Sequence, residues 1–214
     1  MYILWIILLT AISYIAGSVP FGILIGKGVK GIDIREVGSG NIGTANAIRA
    51  LGPFWGGLVF VCDVLKGALA VLAAVWLPRW FPGMIPVPVQ PFLHVFCGLA
   101  SIIGHNNSMF LKFKGGKGIA TSFGVFVSLE WKAALLSLIV YVIIVAITRL
   151  SSLGSLLGCV ALPVLMIVFK CPVIYIVFAF TASAIAFYKH RENIKRLAKG
   201  EERKITEQSI DKRS

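Results

Sequence analysis

The sequence predicts an all-α polytopic membrane protein with about seven transmembrane helices. Of its 214 residues, 57% are hydrophobic and 14% are charged, whereas soluble domains carry about 45–50% apolar and about 25% charged residues. The mean hydropathy is +0.88. Apolar stretches recur along the chain at the length of about 20 residues that a membrane-spanning helix needs. These features exclude a disordered chain, a nucleic-acid-binding globule and most soluble enzymes.

The apolar stretches divide the chain into seven predicted spans. The first has no basic region before it and is too long for a signal-peptide core, so we interpret it as a span. The fourth is short and contains Gly and Ser, and it is compatible with a half-span or a re-entrant segment buried in protein. The predicted spans, with five or six as the alternative count, lie near residues 2–26, 53–77, 90–109, 118–130, 132–148, 151–169 and 171–188. Together they form a single domain, residues 1–214, in which residues 189–214 are a basic tail.

The distribution of basic residues predicts the orientation. The net charge is +12, from 21 Lys and Arg against 9 Asp and Glu. With seven spans, most of these basic residues fall on the side of the C-terminal tail, and only Arg79, Lys132 and Lys170 fall on the other side. Cytoplasmic loops of membrane proteins are enriched in Lys and Arg. We therefore predict the N-terminus outside and the C-terminus in the cytoplasm, with the lipid bilayer rather than nucleic acid as the partner of this basic chain.

The first of three polar segments on the predicted cytoplasmic side is GSGNIGTANAIRALG, residues 38–52. Glycine accepts the dihedral angles of an anion-binding nest, and small residues let backbone N–H groups approach a ligand. A helix that begins near Thr44 or Asn46 would add an anion site at its N-terminus. A flexible turn between two spans is the alternative. The candidate phosphate-binding residues are Ser39, Gly40, Asn41, Gly43, Thr44, Asn46 and Arg49, the last as a bidentate partner.

The second polar segment is GHNNSMFLKFKGGKGIATSFG, residues 104–124. It is a cationic, glycine-rich turn that leads into a predicted helix, which again suits a phosphate. It is not a Walker A loop, because Gly118 follows Lys117 and Leu111 stands where the first glycine should be. A basic anchor at the end of a span would explain the lysines but not the glycines. The candidate residues are Lys114, Gly115, Gly116, Lys117, Thr121 and Ser122.

The third polar segment is HRENIKRLAKGEERK, residues 190–204. Its composition is also typical of an amphipathic helix that is attracted to anionic lipid. His190 and Asn193 lie three residues apart and so share one face of a helix. At the membrane surface, these two side chains could meet a substrate.

The remaining ionisable and metal-ligating residues give weaker signals. Asp63 and Lys66 lie three apart within the second span and can form an ion pair. An ionisable pair inside the membrane is compatible with a functional site, but we favour a structural tie between helices. His94 is predicted to be a packing residue, and His105 is compatible with either packing or function. The four cysteines lack metal-ligand spacing and are predicted to be small buried hydrophobic residues. We predict neither a metal nor a cofactor.

In content and order, the three segments resemble the bacterial integral-membrane acyl-phosphate:glycerol-3-phosphate acyltransferase family. The family's pattern is G-S-G-N-x-G-A-T-N-x-x-R, F-L-K-F-K-G-G-K-G-V-A-T and H-R-x-N-I-x-R-L-x-x-G-x-E. It is matched here by GSGNIGTANAIR, FLKFKGGKGIAT and HRENIKRLAKGEE. The resemblance covers the whole chain, with two departures. They are Thr44-Ala45, where the family has Ala-Thr, and Asn107-Ser108, where the family commonly has an aromatic residue and Pro.

The resemblance implies seven spans in a bacterial inner membrane and an active site that faces the cytoplasm. It implies acyl transfer from acyl phosphate to glycerol 3-phosphate, giving lysophosphatidic acid and phosphate for phospholipid synthesis. A partner enzyme that makes acyl phosphate is implied as well. By motif position, Ser39 and Arg49 bind phosphate, Lys117 and its glycines serve the glycerol 3-phosphate site, His190 and Asn193 are needed for activity, and Glu201 is structural.

The residues alone leave one alternative open, a membrane transporter for a small organophosphate anion.

The residues also limit the chemistry that an acyltransferase of this sequence could use. None of His94, His105 and His190 has an Asp five residues on, which excludes the acyltransferases that use an H-x-x-x-x-D dyad. No Ser-His-Asp or Cys-His grouping that could form an acyl-enzyme is legible either, and phosphate is already a good leaving group. The sequence therefore predicts direct transfer without an acyl-enzyme, in which His190 and Asn193 orient the substrate or polarise the acyl carbonyl.

Overall fold

The computed structural model describes residues 2–207, and the regular structure of this part is entirely helical. Three short 3-10 helices lie at Ile34–Glu36, Val87–Val89 and Met109–Leu111. The α-helices are α1 (Tyr2–Ser18), α2 (Phe21–Lys30), α3 (Thr44–Leu51), α4 (Pro53–Trp80), α5 (Gln90–Asn106), α6 (Ile119–Leu129), α7 (Trp131–Thr148), α8 (Ser151–Val168), α9 (Val173–Lys189) and α10 (Arg191–Ala198). Residues 208–214, the end of the predicted basic tail, lie outside the described residues.

The predicted all-helical membrane fold is confirmed. Among the described residues, five segments are long and apolar enough to cross a bilayer, and the bent pair α9–α10 makes a sixth if it counts as one span. Helix α6, the fourth predicted span, has 11 residues, which give about 16 Å of rise. That is roughly half of the 30 Å apolar core, so α6 alone cannot cross it. The count of seven spans and the orientation stay predictions.

The sequence pattern suggested one continuous helix for the first predicted span, but the structure has two. The span is interrupted at Val19 and Pro20, between α1 and α2. Proline has no backbone N–H and disfavours the helical region for the residue before it, which explains the break. At the break, the carbonyl oxygen of Val19 accepts hydrogen bonds from the N–H of Phe21 at 3.2 Å and from the ammonium of Lys66 of α4 at 2.9 Å.

Helix packing brings the three polar segments to one end of the molecule. Helix α1 packs against α5, α4 against α6, and α7 against α8. The first residues of α4, α6 and α8 and the last residues of α5, α7 and α9 therefore lie at the same end of the molecule, the end that carries the polar segments. A small apolar cluster fastens the first segment to α4, and its buried members are Ile23, Ile34, Ile42, Ala47, Leu51 and Val59. The largest buried cluster among the described residues has members from all six helices α4 to α9, and in it the Phe126 and Phe178 rings are 4.9 Å apart.

Candidate active site

The three polar segments converge on a cavity of about 920 Å³. At its polar end the charged lining residues are six basic and three acidic, so the lining favours an anion. The cavity continues between α6, α7 and α8 to Ala134, which lies about 21 Å of helix rise from the end of α7. The apolar residues of this deeper part include Phe60, Phe123, Phe126, Leu138, Val142 and Leu162. The cavity thus joins a basic mouth to an apolar groove.

The first polar segment forms a loop, residues 38–43, whose shape is held by Asn46. The Asn46 side chain accepts a hydrogen bond from the Ser39 N–H at 2.8 Å. Its amide nitrogen lies 2.7–3.2 Å from the carbonyl oxygens of Ile34, Val37 and Asn41. Asn46 is 1% exposed, so its polar atoms are committed to the loop. This corrects its assignment as a phosphate ligand: Asn46 shapes the site instead.

Other groups of the same loop are free to meet a ligand. Helix α3 begins at Thr44, one of the two starts that the sequence left open, and the first N–H groups of a helix have no intrahelical partner. The Thr44 hydroxyl is buried at the cavity and has no hydrogen-bond partner among the described residues. Gly38 and Gly40 have φ of 60° and 70°, the left-handed region that glycine accepts without strain. Ser39 is exposed at the cavity mouth.

The second polar segment forms a turn over residues 114–118, which we call the lysine turn. The Lys117 ammonium donates a hydrogen bond to Oδ1 of Asn193. Because an ammonium has three N–H groups, two remain for a ligand. Burial lowers the pKa of Lys117 to about 8, although the nearby Glu202 carboxylate acts to raise it.

The third polar segment supplies the partners of Lys117. Asn193 donates to Oε1 of Glu202 at 2.6 Å, and Ser152 donates to the same oxygen at 3.0 Å. Arg196 binds the other carboxylate oxygen at 2.8 Å. Burial acts to raise the pKa of Glu202, but the hydrogen bonds from Asn193, Arg196 and Ser152 outweigh it and lower the pKa. Glu202 is therefore a buried anion that orients both Asn193 and, through it, Lys117.

These contacts correct the assignment of Glu201 as the structural glutamate. The Glu201 side chain is exposed, and the G-x-E spacing from Gly200 falls on Glu202. The carboxylate that ties α10 to α8 is that of Glu202, whose side chain is 5% exposed.

His190 lies at the junction of α9 and α10, and the structure fixes which of its nitrogens is protonated. Nδ1 is 2.8 Å from the carbonyl oxygen of Ala186. A carbonyl can only accept, so Nδ1 carries the proton and Nε2 of the neutral ring is an acceptor. Burial, together with the charge of Lys117, lowers the pKa of His190 to about 4. The ring is therefore uncharged at neutral pH.

Arg49 contacts the segment that follows α10. It donates to the carbonyl oxygens of Lys204 and Arg203 at 3.0 and 3.1 Å. Arg203 in turn donates to the carbonyl oxygen of Gly38. Arg49 thus joins α3 to the chain after Glu202 at the rim of the cavity.

Comparisons with known proteins agree with this geometry. The family model described as glycerol-3-phosphate acyltransferase matches residues 7–200. The chain belongs to the glycerol-3-phosphate acyltransferase family. A relative with that name from Trichormus variabilis is 40% identical over 212 residues, which cover 94% of each chain. One from Myxococcus xanthus is 41% identical over 198 residues, covering 92% of this chain and 98% of the relative.

Two solved structures share the fold of this acyltransferase. Both are crystal structures of PlsY (YgiH), an integral membrane glycerol 3-phosphate acyltransferase. Its glycerol 3-phosphate form has a TM-score of 0.84 and 38% sequence identity, and its lysophosphatidic acid form has 0.82 and 37%. Each covers 93% of this chain and 94% of the solved one.

The structure of this acyltransferase separates the predicted residues into two groups. Those that line the cavity are Ser39, Gly40, Asn41, Gly43, Thr44, Asn46, Arg49, Lys117, Ser122, His190 and Asn193. Lys114 is exposed and Thr121 is fully buried, and both lie away from the cavity lining, as do Gly115 and Gly116. The two glycines act through the backbone of the lysine turn. The predicted pair of Asp63 and Lys66 is present at 2.7 Å.

Sequence reasoning missed several polar residues of the site. The start of α8 contributes three hydroxyl groups to the cavity, from Ser151, Ser152 and Ser155. Tyr141 of α7 lies within hydrogen-bond distance of Ser151, at 3.0 Å. A cluster of serines in the first turns of an otherwise apolar span was the signal that could have found them. Arg196 is one basic residue among many in its segment, but it matches the second Arg of the H-R-x-N-I-x-R-L pattern, and this motif position was the signal that could have found it.

Proposed function

We propose that this acyltransferase transfers a fatty acyl group from acyl phosphate to glycerol 3-phosphate and releases lysophosphatidic acid and phosphate. The observation that supports it best is the cavity itself, which joins a basic mouth to an apolar groove. Both substrates carry phosphate, and one of them also carries a long apolar chain. Such a pair needs a site with both properties. Glycerol 3-phosphate as acceptor follows from the family to which the chain belongs.

The reaction is a direct transfer. The free hydroxyl of glycerol 3-phosphate attacks the acyl carbonyl carbon, the bond from that carbon to the phosphate oxygen breaks, and phosphate leaves. The hydroxyl proton passes to a substrate phosphate. Phosphate is a good leaving group, so the enzyme's task is to hold two anions together and aim the hydroxyl at the carbonyl.

The side chains divide this task. Lys117 and Arg49 neutralise the two phosphates, and the Thr44 hydroxyl and the free N–H groups of α3 add neutral donors. Neutral His190 can accept a hydrogen bond through Nε2 but cannot donate one there, so it orients the glycerol hydroxyl rather than polarising the carbonyl. Asn193 holds Lys117 in place.

The setting is the inner membrane of a bacterium, with the cavity mouth toward the cytoplasm. The basic residues near the mouth support this side of the membrane. An acyl phosphate supplied from the cytoplasm by the enzyme that makes it would then enter with its phosphate at the mouth and its chain in the groove.

Purified protein in detergent tests the proposal. It is given glycerol 3-phosphate with an acyl phosphate, and in a parallel reaction with acyl-CoA as the control donor. Lysophosphatidic acid should form in the reaction with acyl phosphate and not in the reaction with acyl-CoA. Product formation only from acyl-CoA would refute acyl phosphate as the donor. A covalent acyl-protein trapped on incubation with acyl phosphate, without glycerol 3-phosphate, would refute direct transfer.

A further inference from the structure

The lysine turn rests on His105, a residue that the proposed chemistry does not use. The backbone N–H groups of Gly115 and Gly116 donate to the carbonyl oxygens of Asn106 and His105, at 3.2 and 2.9 Å. A Cβ atom on Gly116 would overlap Nε2 of the His105 ring, and one on Gly115 would overlap the His105 carbonyl oxygen. The imidazole is thus in direct contact with the residue that precedes Lys117.

A buried ion pair faces the other side of the same ring. Oδ1 of Asp63 lies 3.6 Å from Nδ1 of His105 and 2.7 Å from the ammonium of Lys66. Lys66 also donates to the carbonyl oxygen of Val19, at the break between α1 and α2. The three ionisable side chains are at most 4% exposed. Close-packed interiors leave such groups little freedom to move.

The position of these residues favours a role in the site over a purely structural tie. Asp63 and His105 both line the cavity, as Lys117 does. A carboxylate there would repel a phosphate, and the ammonium of Lys66 offsets that charge. In contrast, His94 hydrogen-bonds to Tyr175 at 2.7 Å and lies outside the cavity lining.

We propose that His105 is a positioning residue for the lysine turn, and that Asp63 and Lys66 hold its ring in place. The ring determines the position of the Gly116 backbone, and therefore the position from which the Lys117 ammonium contacts a phosphate. This inference rests on the proposed role of Lys117 in binding glycerol 3-phosphate. It assigns a role to the buried triad of Asp63, Lys66 and His105, which lies on α4 and α5 and contacts the break between α1 and α2 through Lys66.

A double-mutant cycle between the ring and the glycine tests the inference. The variants are His105→Ala, Gly116→Ala and the two combined, and the measured quantity is the KM for glycerol 3-phosphate. Each single change should raise KM by about tenfold or more, the loss expected when a charge-assisted contact is displaced. In the double variant the missing ring leaves room for the new methyl group. Its KM should therefore be no higher than that of His105→Ala alone.

Matched controls separate positioning from general damage. His94→Ala removes an imidazole outside the site, and Gly28→Ala adds a methyl group where nothing lies within 4 Å. Both should leave KM unchanged. If the effects of His105→Ala and Gly116→Ala simply multiply, or if His105→Ala lowers only the melting temperature, the inference is wrong.

Two further measurements keep the test decisive. Asp63→Asn keeps the side-chain volume but releases the ring, and it should raise KM in the same direction even if His105→Ala does not fold; an unchanged KM refutes the inference. Lys117→Ala distinguishes the two levels of the argument. A normal KM in Lys117→Ala would overturn the proposed phosphate role, whereas a raised KM there with a normal KM in folded His105 and Asp63 variants would overturn only the positioning role.

Discussion

Burial lowers the pKa of the Lys117 ammonium to about 8, so its charge is lost just above neutral pH. The charged form exists below that pKa and is the form that the proposed role in phosphate binding requires. The KM for glycerol 3-phosphate should therefore rise as the pH passes above about 8. Lys117→Arg keeps its charge to much higher pH and should move this rise upward. Steady-state kinetics across pH 6–10 would check both expectations.

Removal of the Lys117 side chain has a matched control in the same segment. Lys117→Ala should raise the KM for glycerol 3-phosphate by about tenfold or more, because it removes a charge-assisted contact. Lys112 is exposed, and Lys112→Ala should stay within about twofold of the unchanged protein. Equal effects of the two substitutions would show that Lys117 contributes only to the general positive charge of the segment.

His190 should show no titration of its own near neutral pH. Its pKa of about 4 means that it is neutral above that value and loses its free acceptor nitrogen below it. The pH profile of kcat/KM should therefore lack a limb near pH 6.5 that depends on this residue. A limb from a substrate phosphate, with a second pKa of about 6, should persist in His190→Gln. A limb that disappears in His190→Gln would identify His190 as a general base.

At the scale of elements, α10 and the residues that follow it form one unit around Glu202. Glu202→Gln removes the charge that faces Arg196 and Asn193, so activity and melting temperature should both fall. It also removes a charge that raises the pKa of Lys117, so the alkaline rise in KM should shift to lower pH. The adjacent, exposed Glu201 provides the control, and Glu201→Gln should change stability by no more than about 0.5 kcal/mol. The reverse ranking would restore Glu201 as the structural residue.

Much of the helical arrangement could be predicted from the sequence, because each apolar stretch needs a membrane or a core. Pro20 alone would have indicated the break between α1 and α2. We overlooked it because the apolar stretch of residues 2–26 has the length of a single span. The sequence left the start of α3 open between Thr44 and Asn46, and the helix begins at Thr44. The role of Asn46 could not be predicted, because a side chain that clamps its own loop and one that binds a ligand have the same sequence pattern.

At the scale of the whole molecule, the apolar groove could not be predicted. Its walls come from four helices, and a residue such as Leu138, which lines the cavity, has the same chemical character as Leu136, which faces outward. In a membrane protein both the lipid-facing and the cavity-facing surfaces are apolar, so hydrophobic periodicity does not separate them. The polar mouth was predictable because polar residues are rare in such a chain, so the three polar segments stand out in the sequence.

The orientation of the whole molecule is the remaining prediction, and the structure indicates where to test it. Single cysteines would replace Ser39 and Lys199, exposed at the motif-bearing end, and Pro82, exposed just beyond the far end of α4. The background would lack the native Cys62, Cys97, Cys159 and Cys171. Because basic loops stay in the cytoplasm, a membrane-impermeant thiol reagent should label position 82 in intact spheroplasts, and positions 39 and 199 only in inside-out vesicles. Labelling of position 39 from outside would place the cavity mouth away from the cytoplasm and contradict supply of acyl phosphate from that side.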